Sequence, residues 1–143
     1  MSLKKLFRFI VITLLFVMAS AVSALDITCP SSITPLETVN APIKGWEPFT
    51  SDDKHYFQNV SIYDGHPRDR ATLVPRDDNK AGKAISRWEF PRDKQYKIWL
   101  RCEYINTNAS YIVALPDTTT VCTVTYRMLD KKTSAGIGRI RCE

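Results

Sequence analysis

The stretch that decides the fold runs from Cys122 to Cys142 and reads CTVTYRMLDKKTSAGIGRIRC. It consists of two runs in which polar and apolar residues alternate, separated by a polar turn, and this is the pattern of a β-hairpin. Folding the stretch about Lys132 brings its two terminal cysteines opposite each other. We therefore predict an antiparallel strand pair that is joined across the strands by a Cys122–Cys142 disulfide.

The same register predicts which side chains of the hairpin face the core. It places Val124 opposite Ile140 and Tyr126 opposite Gly138, so that apolar or small residues share one face. The other face of the pair then points outward. Its residues are Thr119, Val121, Thr123, Thr125 and Arg127 on the first strand, and Ile137, Arg139 and Arg141 on the second.

The cysteine count indicates disulfides in an exported chain. The four cysteines are Cys29, Cys102, Cys122 and Cys142, for which three pairings are possible. If Cys122 pairs with Cys142, the remaining bridge joins Cys29 to Cys102. No pair has the C-x-x-C spacing of a zinc or redox site, so we predict structural bridges and expect neither a metal nor a cofactor.

The first 24 residues have the composition of a secretory signal peptide. Lys4, Lys5 and Arg8 come before or at the start of an apolar run, 9–18, which is shorter than the roughly 20 residues that a membrane span needs. Small residues follow, with a predicted cleavage site after Ala24. We expect the protein to be exported to the periplasm, with no stable membrane anchor after cleavage.

The charge balance gives little indication of a nucleic-acid partner. The chain has 20 Lys and Arg against 15 Asp and Glu, a formal net charge of +5. Three of the basic residues, Lys4, Lys5 and Arg8, lie in the leader, which has no acidic residue. The exported part is therefore close to neutral, and we expect no binding to nucleic acid.

The rest of the chain has the length of one domain. Prolines interrupt residues 25–49, which we interpret as an irregular arm in front of a β body, 50–143. Seven short alternating runs with turn signals between them follow, and the clearest, Tyr96–Tyr104, has its apolar side chains at even positions. We predict an all-β domain, an antiparallel meander that forms a small sandwich or an open barrel.

One constellation has the residue types of a hydrolase. Asp64 and His66 lie close to Ser61 in sequence, and carboxylate, imidazole and hydroxyl groups together are the elements of nucleophilic catalysis. However, Asp-Gly followed by His-Pro is also a strong turn sequence, and we favour that interpretation.

A second constellation has the residue types of a metal site, but we do not predict one. It would use His55 and His66 with Asp52 and Asp53, and two separate loops would have to meet to form it. Nothing in the spacing of these residues requires such a meeting. We therefore predict that the protein is not an enzyme.

The outward residues of the strands form a candidate interaction surface, because arginine and aromatic side chains are typical of protein interfaces. If Asn106-Thr107-Asn108 is the turn before the cysteine hairpin, then Trp99, Arg101 and Glu103 lie near Leu115, Val113 and Tyr111 respectively. The alternatives are an ordinary solvated sheet face, or a face covered by the other half of the sandwich. The predicted surface consists of Trp99, Arg101, Tyr111, Arg127, Arg139 and Arg141.

Several motifs along the chain are similar to those of one protein family. They are Trp46-x-x-Phe49, Tyr63-Asp64-Gly65-x-Pro67, Leu73-Val74-Pro75, Trp88, Trp99-Leu100-x-Cys102-x-Tyr104, and Cys122-x-Val124-x-Tyr126 with Cys142. The chain resembles a family of small exported proteobacterial proteins of unknown function, some of whose members are encoded among type VI secretion genes. The resemblance implies a periplasmic location and a role as an immunity partner that blocks an effector.

We therefore expect a periplasmic protein-binding domain, in its most specific form an immunity protein against a cell-wall-targeting effector. Its partner is expected to be another protein. The alternatives are an envelope ligand binder or a hydrolase acting through the Asp64–His66 loop, or a structural envelope component with no discrete site.

Overall fold

The structure is a computed structural model and describes residues 24–36, 38, 43–45, 47–69, 71–78, 84–129 and 134–143. The predicted signal peptide lies outside the described residues except for Ala24, and so does the predicted turn at Lys132. Within the described residues, no helix is long and apolar enough to cross a membrane.

Ten β-strands and one 3-10 turn make up the regular structure of the described residues. The strands are β1 (Leu25–Ile27), β2 (Ser32–Ile33), β3 (His55–Asp64), β4 (Thr72–Leu73), β5 (Arg76–Asp78), β6 (Ile85–Glu89), β7 (Ile98–Tyr104), β8 (Ser110–Ala114), β9 (Val121–Met128) and β10 (Ser134–Cys142). The 3-10 turn, Pro67–Asp69, lies between β3 and β4.

The strands form two antiparallel sheets. Sheet 1 has the order β1-β10-β9-β6-β5, and sheet 2 has the order β2-β3-β7-β8, with β4 also paired to β3. Consecutive strands pair in the hairpins β5–β6, β7–β8 and β9–β10, whereas the pairings β3–β7 and β6–β9 join strands that are distant in sequence. The prediction of an all-β antiparallel domain with two disulfides is confirmed, and of the two predicted forms, a sandwich or an open barrel, the two sheets make a sandwich. The order of the strands is not that of a simple meander, because the chain crosses repeatedly between the two sheets.

The first strands lie in the segment that the sequence presents as an irregular arm. β1 pairs with β10 at the edge of sheet 1, and β2 pairs with the start of β3 at the edge of sheet 2. Cys29, which is buried, lies between these two short strands. The start of the arm therefore reaches both sheets.

The core lies between the sheets and receives alternate side chains from each. Sheet 2 contributes Ile62 and Leu100, and sheet 1 contributes Val124, all without measurable exposure. The indole Nε1 of Trp88, on sheet 1, donates a 3.0 Å hydrogen bond to the carbonyl oxygen of Leu73, on sheet 2. This bond satisfies the polar atom of a buried tryptophan and ties the two layers together.

Two disulfides join buried positions, as predicted. Cys122 pairs with Cys142 across β9 and β10, and Cys29 pairs with Cys102 in β7. The first bridge closes a short loop within one hairpin. The second spans 73 positions and attaches the arm to the centre of sheet 2.

The predicted register of β9–β10 is confirmed at its cysteine end, where Val124 lies opposite Ile140. It is wrong further along, because Tyr126 lies opposite Ile137 and not Gly138. A β-bulge at Gly138 shifts the pairing there, and Ile137 packs against the core instead of facing outward. A methyl group at Gly138 would lie 3.2 Å from the carbonyl oxygen of Thr125, so a glycine suits this close approach.

The predicted register of β7–β8 is wrong by one residue. Trp99 lies opposite Ala114 and Arg101 opposite Ile112, so the axis of the hairpin falls between Asn106 and Thr107. Asn106 has a positive φ of 58°, a left-handed conformation that asparagine tolerates in turns. The strand before this turn begins at Ile98, and not at Tyr96 as the alternation predicts.

Candidate interaction surfaces

The structure separates the residues of the predicted interaction surface. Trp99 and Arg101 lie on the outer face of β7 in sheet 2, whereas Arg127, Arg139 and Arg141 belong to β9 and β10 in sheet 1. The outer faces of two packed sheets point in opposite directions. The prediction of one continuous surface is therefore wrong, since the chain places the two groups on opposite sides of the sandwich.

Tyr111 belongs to neither outer face. Because β8 is shifted by one residue, Tyr111 lies opposite Cys102 and points to the same side of sheet 2 as the core. Its ring contacts that of Tyr104 edge to face, with 6.4 Å between the ring centres. The side chain nevertheless remains 57% exposed, because β8 lies at the edge of the sheet.

We call the outer side of sheet 1 the arginine face. Its described arginines are Arg76, Arg87, Arg127, Arg139 and Arg141. The register aligns one row of side chains across all five strands of the sheet, in the order Asp26, Arg141, Thr123, Arg87 and Arg76.

Acidic residues at the margins of the arginine face orient several of its guanidinium groups. Arg139 donates two hydrogen bonds to Asp26, of 2.8 and 2.7 Å, in a forked arrangement. Arg141 lies 2.8 Å from a carboxylate oxygen of Glu143. The hydrogen bond from Arg139 holds the pKa of the Asp26 carboxyl group below its usual value.

The other margin of the face has a second acidic group. Arg87 donates a 2.9 Å hydrogen bond to Glu89, and Arg76 lies 4.0 Å from the same carboxylate. The bond from Arg87 lowers the pKa of the Glu89 carboxyl group. Exposed ion pairs of this kind contribute little to stability, because solvent and salt screen them.

We call the outer side of sheet 2 the tryptophan face. A loop covers part of it, because the ring of His66 lies edge to face on that of Trp99, with 4.7 Å between the ring centres. Tyr63, on the neighbouring strand, is only 6% exposed although it points away from the core. Arg101 donates a 3.4 Å hydrogen bond to the carbonyl oxygen of Asn108. This face is therefore already partly packed by the chain itself.

The candidate catalytic groups have other partners. The hydroxyl of Ser61 donates a 2.7 Å hydrogen bond to Glu103, on the adjacent strand. The Nδ1 atom of His66 accepts a 3.2 Å hydrogen bond from the backbone N–H of Arg68. These contacts are those of a folded turn and a sheet face, and among the described residues they do not connect Ser61, His66 and Asp64 to one another.

The candidate metal ligands are also dispersed. A carboxylate of Asp53 accepts a hydrogen bond from Ser51, and the Nδ1 atom of His55 bonds to the carbonyl oxygen of Ile105. Among the described residues, no group of three or more His, Cys, Asp or Glu side chains is placed to hold a metal ion.

A cleft of about 380 Å³ lies at one end of the sandwich, beside the connection between β6 and β7. Its lining includes three carboxylates, those of Asp64, Glu89 and Asp93. Lys94 also lines it and donates hydrogen bonds of 2.5 and 3.0 Å to the carbonyl oxygens of Asp117 and Thr119. Those bonds connect two loops, and the lysine is therefore a structural element of the cleft wall.

Sequence reasoning missed the part of the arginine face that β5 and β6 contribute. The alternation in β6, Ile85-Ser86-Arg87-Trp88-Glu89, is a usable signal, because it places Arg87 and Glu89 on the side of the strand that faces away from the core, whereas Trp88 points into the core. What it does not reveal is that β6 pairs with β9, a strand more than 30 positions further along the chain.

Comparisons with known proteins identify relatives of this chain. The model of the type VI secretion system Tli immunity protein family matches residues 51–143. An uncharacterised 16.3 kDa protein encoded in the trpG 5′ region of Azospirillum brasilense is 30% identical over 127 residues, covering 82% of this chain and 84% of that protein. No solved structure matches the chain.

Proposed function

The chain belongs to the family of type VI secretion system Tli immunity proteins, and from this premise we propose that it acts in the periplasm, where it binds and blocks an effector delivered to the cell envelope. The family match over residues 51–143 is the observation that carries the proposal, because it covers β3 to β10 and therefore most of both sheets. In its narrower form, the effector is one that degrades the cell wall.

The two disulfides support the periplasmic part of the proposal. Both bridges join buried cysteines of the core, and such bonds form and persist in oxidising compartments. The composition of the first 24 residues supports export as well.

We assign effector binding to the arginine face. The forked guanidinium donors match carboxylates. The ion pairs within this face are exposed and contribute little to stability, so carboxylates of a partner can replace the acidic residues of the chain itself. On β9, Thr123 lies between Arg141 and Arg87, and Thr125 lies beside Arg139, so that short polar side chains separate the arginines. The tryptophan face is less suited to this role, because His66 already covers Trp99. The effector surface that fits here is acidic.

A competition experiment tests the function. A strain that lacks this gene is grown against its parent, and we expect it to be killed only when the parent has an active type VI secretion system. The full chain supplied in trans restores survival, whereas residues 25–143 expressed without the leader do not. Survival of the deletion strain contradicts the immunity function, and rescue by the leaderless chain contradicts the periplasmic location.

The products that the killed cells release identify the chemistry of the effector. Release of peptidoglycan fragments supports a cell-wall-degrading effector. Release of fatty acids or lysophospholipids instead indicates an effector that attacks membrane lipid, and this result contradicts only the narrower form of the proposal.

Charge reversal tests the assigned surface. We expect Arg87→Glu combined with Arg141→Glu to abolish rescue, because the two side chains lie in one row of the arginine face. Arg92→Glu, in the exposed turn after β6, is the matched control and keeps rescue. His66→Ala also keeps rescue if no catalytic step is needed. Loss of rescue in Trp99→Ala, with the double reversal still active, contradicts the assignment to the arginine face.

A further inference from the structure

The edge strand β8 differs from the other edges of the sandwich. β1, β2 and β5 have only two or three residues each, and β5 is a charged stretch, Arg76-Asp77-Asp78. Short length and charge are the means by which proteins protect their sheet edges from pairing with other chains. β8 has five residues, with no charge and no proline, and so lacks this protection.

Three consecutive apolar side chains of β8 are exposed. Tyr111, Ile112 and Val113 are 57%, 39% and 42% exposed, respectively. Two of them point to the core side of sheet 2, and Ile112 points to the outer side together with Arg101. An edge strand that is apolar on both sides is suited to pairing with a further strand.

The hydrogen-bonding pattern shows which backbone groups of β8 are directed to the edge. The N–H of Leu115 donates to the carbonyl oxygen of Ile98 in β7, with a length of 2.8 Å. In an antiparallel pair the direction of these groups alternates along the strand, so Tyr111 and Val113 also point theirs to β7. The N–H and C=O groups of Ser110, Ile112 and Ala114 therefore point away from the sheet.

From this geometry we propose that two copies of this chain pair through β8 in an antiparallel arrangement, with the two-fold axis at Ile112. Each copy directs three N–H and three C=O groups outward. With the axis at Ile112, these groups meet their partners without a shift in register, because Ser110 then lies opposite Ala114 of the second copy. Sheet 2 of one copy then joins sheet 2 of the other copy into one continuous sheet.

The side chains are complementary in the same register. Tyr111 of each copy lies opposite Val113 of the other, an aromatic and β-branched pair that is favourable across strands. Ile112 lies opposite its own copy on the other side of the sheet. Since β8 has no charged residue, the pairing brings no like charges together. A second copy therefore fits this edge better than a charged strand does.

Light scattering and analytical ultracentrifugation of the exported chain test the pairing. We expect a dimer whose population rises with protein concentration. Ile112→Lys places two lysines against each other at the axis, and we expect it to weaken dimerisation by at least about tenfold. Leu129→Lys, at a residue 74% exposed after β9, is the matched control and leaves the dimer intact.

A charge-complementation experiment tests the position of the axis. Ile112→Glu alone also gives a monomer, whereas a mixture of the lysine and glutamate variants forms a mixed dimer, because opposite charges then meet at the axis. Failure of the mixture to dimerise, or a monomeric wild-type protein at every concentration, overturns the proposal.

Hydrogen exchange of the wild-type protein tests the same contact without any substitution. We expect the backbone N–H of Ile112 to become protected as the concentration rises, while that of Tyr111 is protected at all concentrations by its bond to β7. An Ile112 N–H whose exchange does not depend on concentration overturns the proposal even if the variants fail to fold.

Discussion

The β9–β10 and β7–β8 hairpins have similar alternating sequences, but their registers are specified to different degrees. In β9–β10 the buried residues Cys122, Val124, Ile140 and Cys142 lie on one face, and the register at that end follows directly from their spacing. In β7–β8 only β7 has such a pattern. A strand that is buried on one face resists slippage, because a shift of one residue would expose its whole apolar set.

The second strand of the β7–β8 hairpin has no comparable constraint. Tyr111, Ile112 and Val113 are consecutive apolar residues, so either register buries some apolar surface. The turn then decides the register. With Asn106 in a left-handed conformation, the axis of the hairpin lies between Asn106 and Thr107. The predicted pairing has its axis at Thr107, and this difference shifts the register by one residue.

The two disulfides offer the strongest test of this comparison. Replacing Cys29 and Cys102 by alanine opens a loop of 73 positions, and replacing Cys122 and Cys142 opens a loop of 20. Chain entropy predicts losses in the free energy of unfolding of about 4 and about 3 kcal/mol, respectively.

Urea unfolding followed by tryptophan fluorescence measures both losses, with the reduced wild-type protein as the reference for losing both bridges. A larger loss for the short loop contradicts the entropic explanation. It indicates instead that the Cys122–Cys142 bridge stabilises the folded hairpin directly.

One substitution made in both hairpins sharpens the contrast. Val124→Ala removes a side chain with no measurable exposure, and we expect it to lower the free energy of unfolding by about 2–3 kcal/mol through lost burial and a cavity. Val113→Ala acts on a side chain that is 42% exposed, and we expect a loss of about 1 kcal/mol or less.

Both valine variants are measured by urea unfolding at a concentration low enough for the monomer to dominate. Equal losses contradict the view that β9 is the constrained strand and β8 the unconstrained one.

The ion pair between Asp26 and Arg139 tests the outer side of the β9–β10 hairpin, and its effect is the smallest. The hydrogen bond from Arg139 lowers the pKa of Asp26 in the folded protein below its usual 3.8, so the folded state gains stability above that pH and loses it as the pH falls through the folded pKa. At pH 7 we expect Asp26→Asn to lower the melting temperature by about 1 °C, because exposed pairs contribute little.

Scanning calorimetry at several pH values measures this difference. We expect the gap between Asp26→Asn and the wild type to close as the pH falls below about 4 and to shrink in high salt. Asp93→Asn, in the exposed turn after β6, is the matched control for the loss of one negative charge. A gap that persists in acid contradicts the assignment to the ion pair.

The candidate surface shows which of its features the sequence predicts and which it does not. Alternation along β9 and β10 correctly predicts that Arg127, Arg139 and Arg141 point away from the core, because a period of two fixes the side of a strand on which a residue lies. It also places Trp99 and Arg101 on an outer face. Which of the two outer faces they share is not a property of any single strand.

By itself, the sequence determines the all-β class, both disulfide partners once the hairpin is recognised, and the buried side of β7 and β9. Each of these follows from local periodicity or from the small number of possible cysteine pairings. Only the tertiary structure decides that β7 and β8 belong to one sheet and β9 and β10 to the other. That division depends on the pairings β3–β7 and β6–β9, which join distant parts of the chain. Such pairings are selected by burial of the whole core, and they separate the arginine face from the tryptophan face.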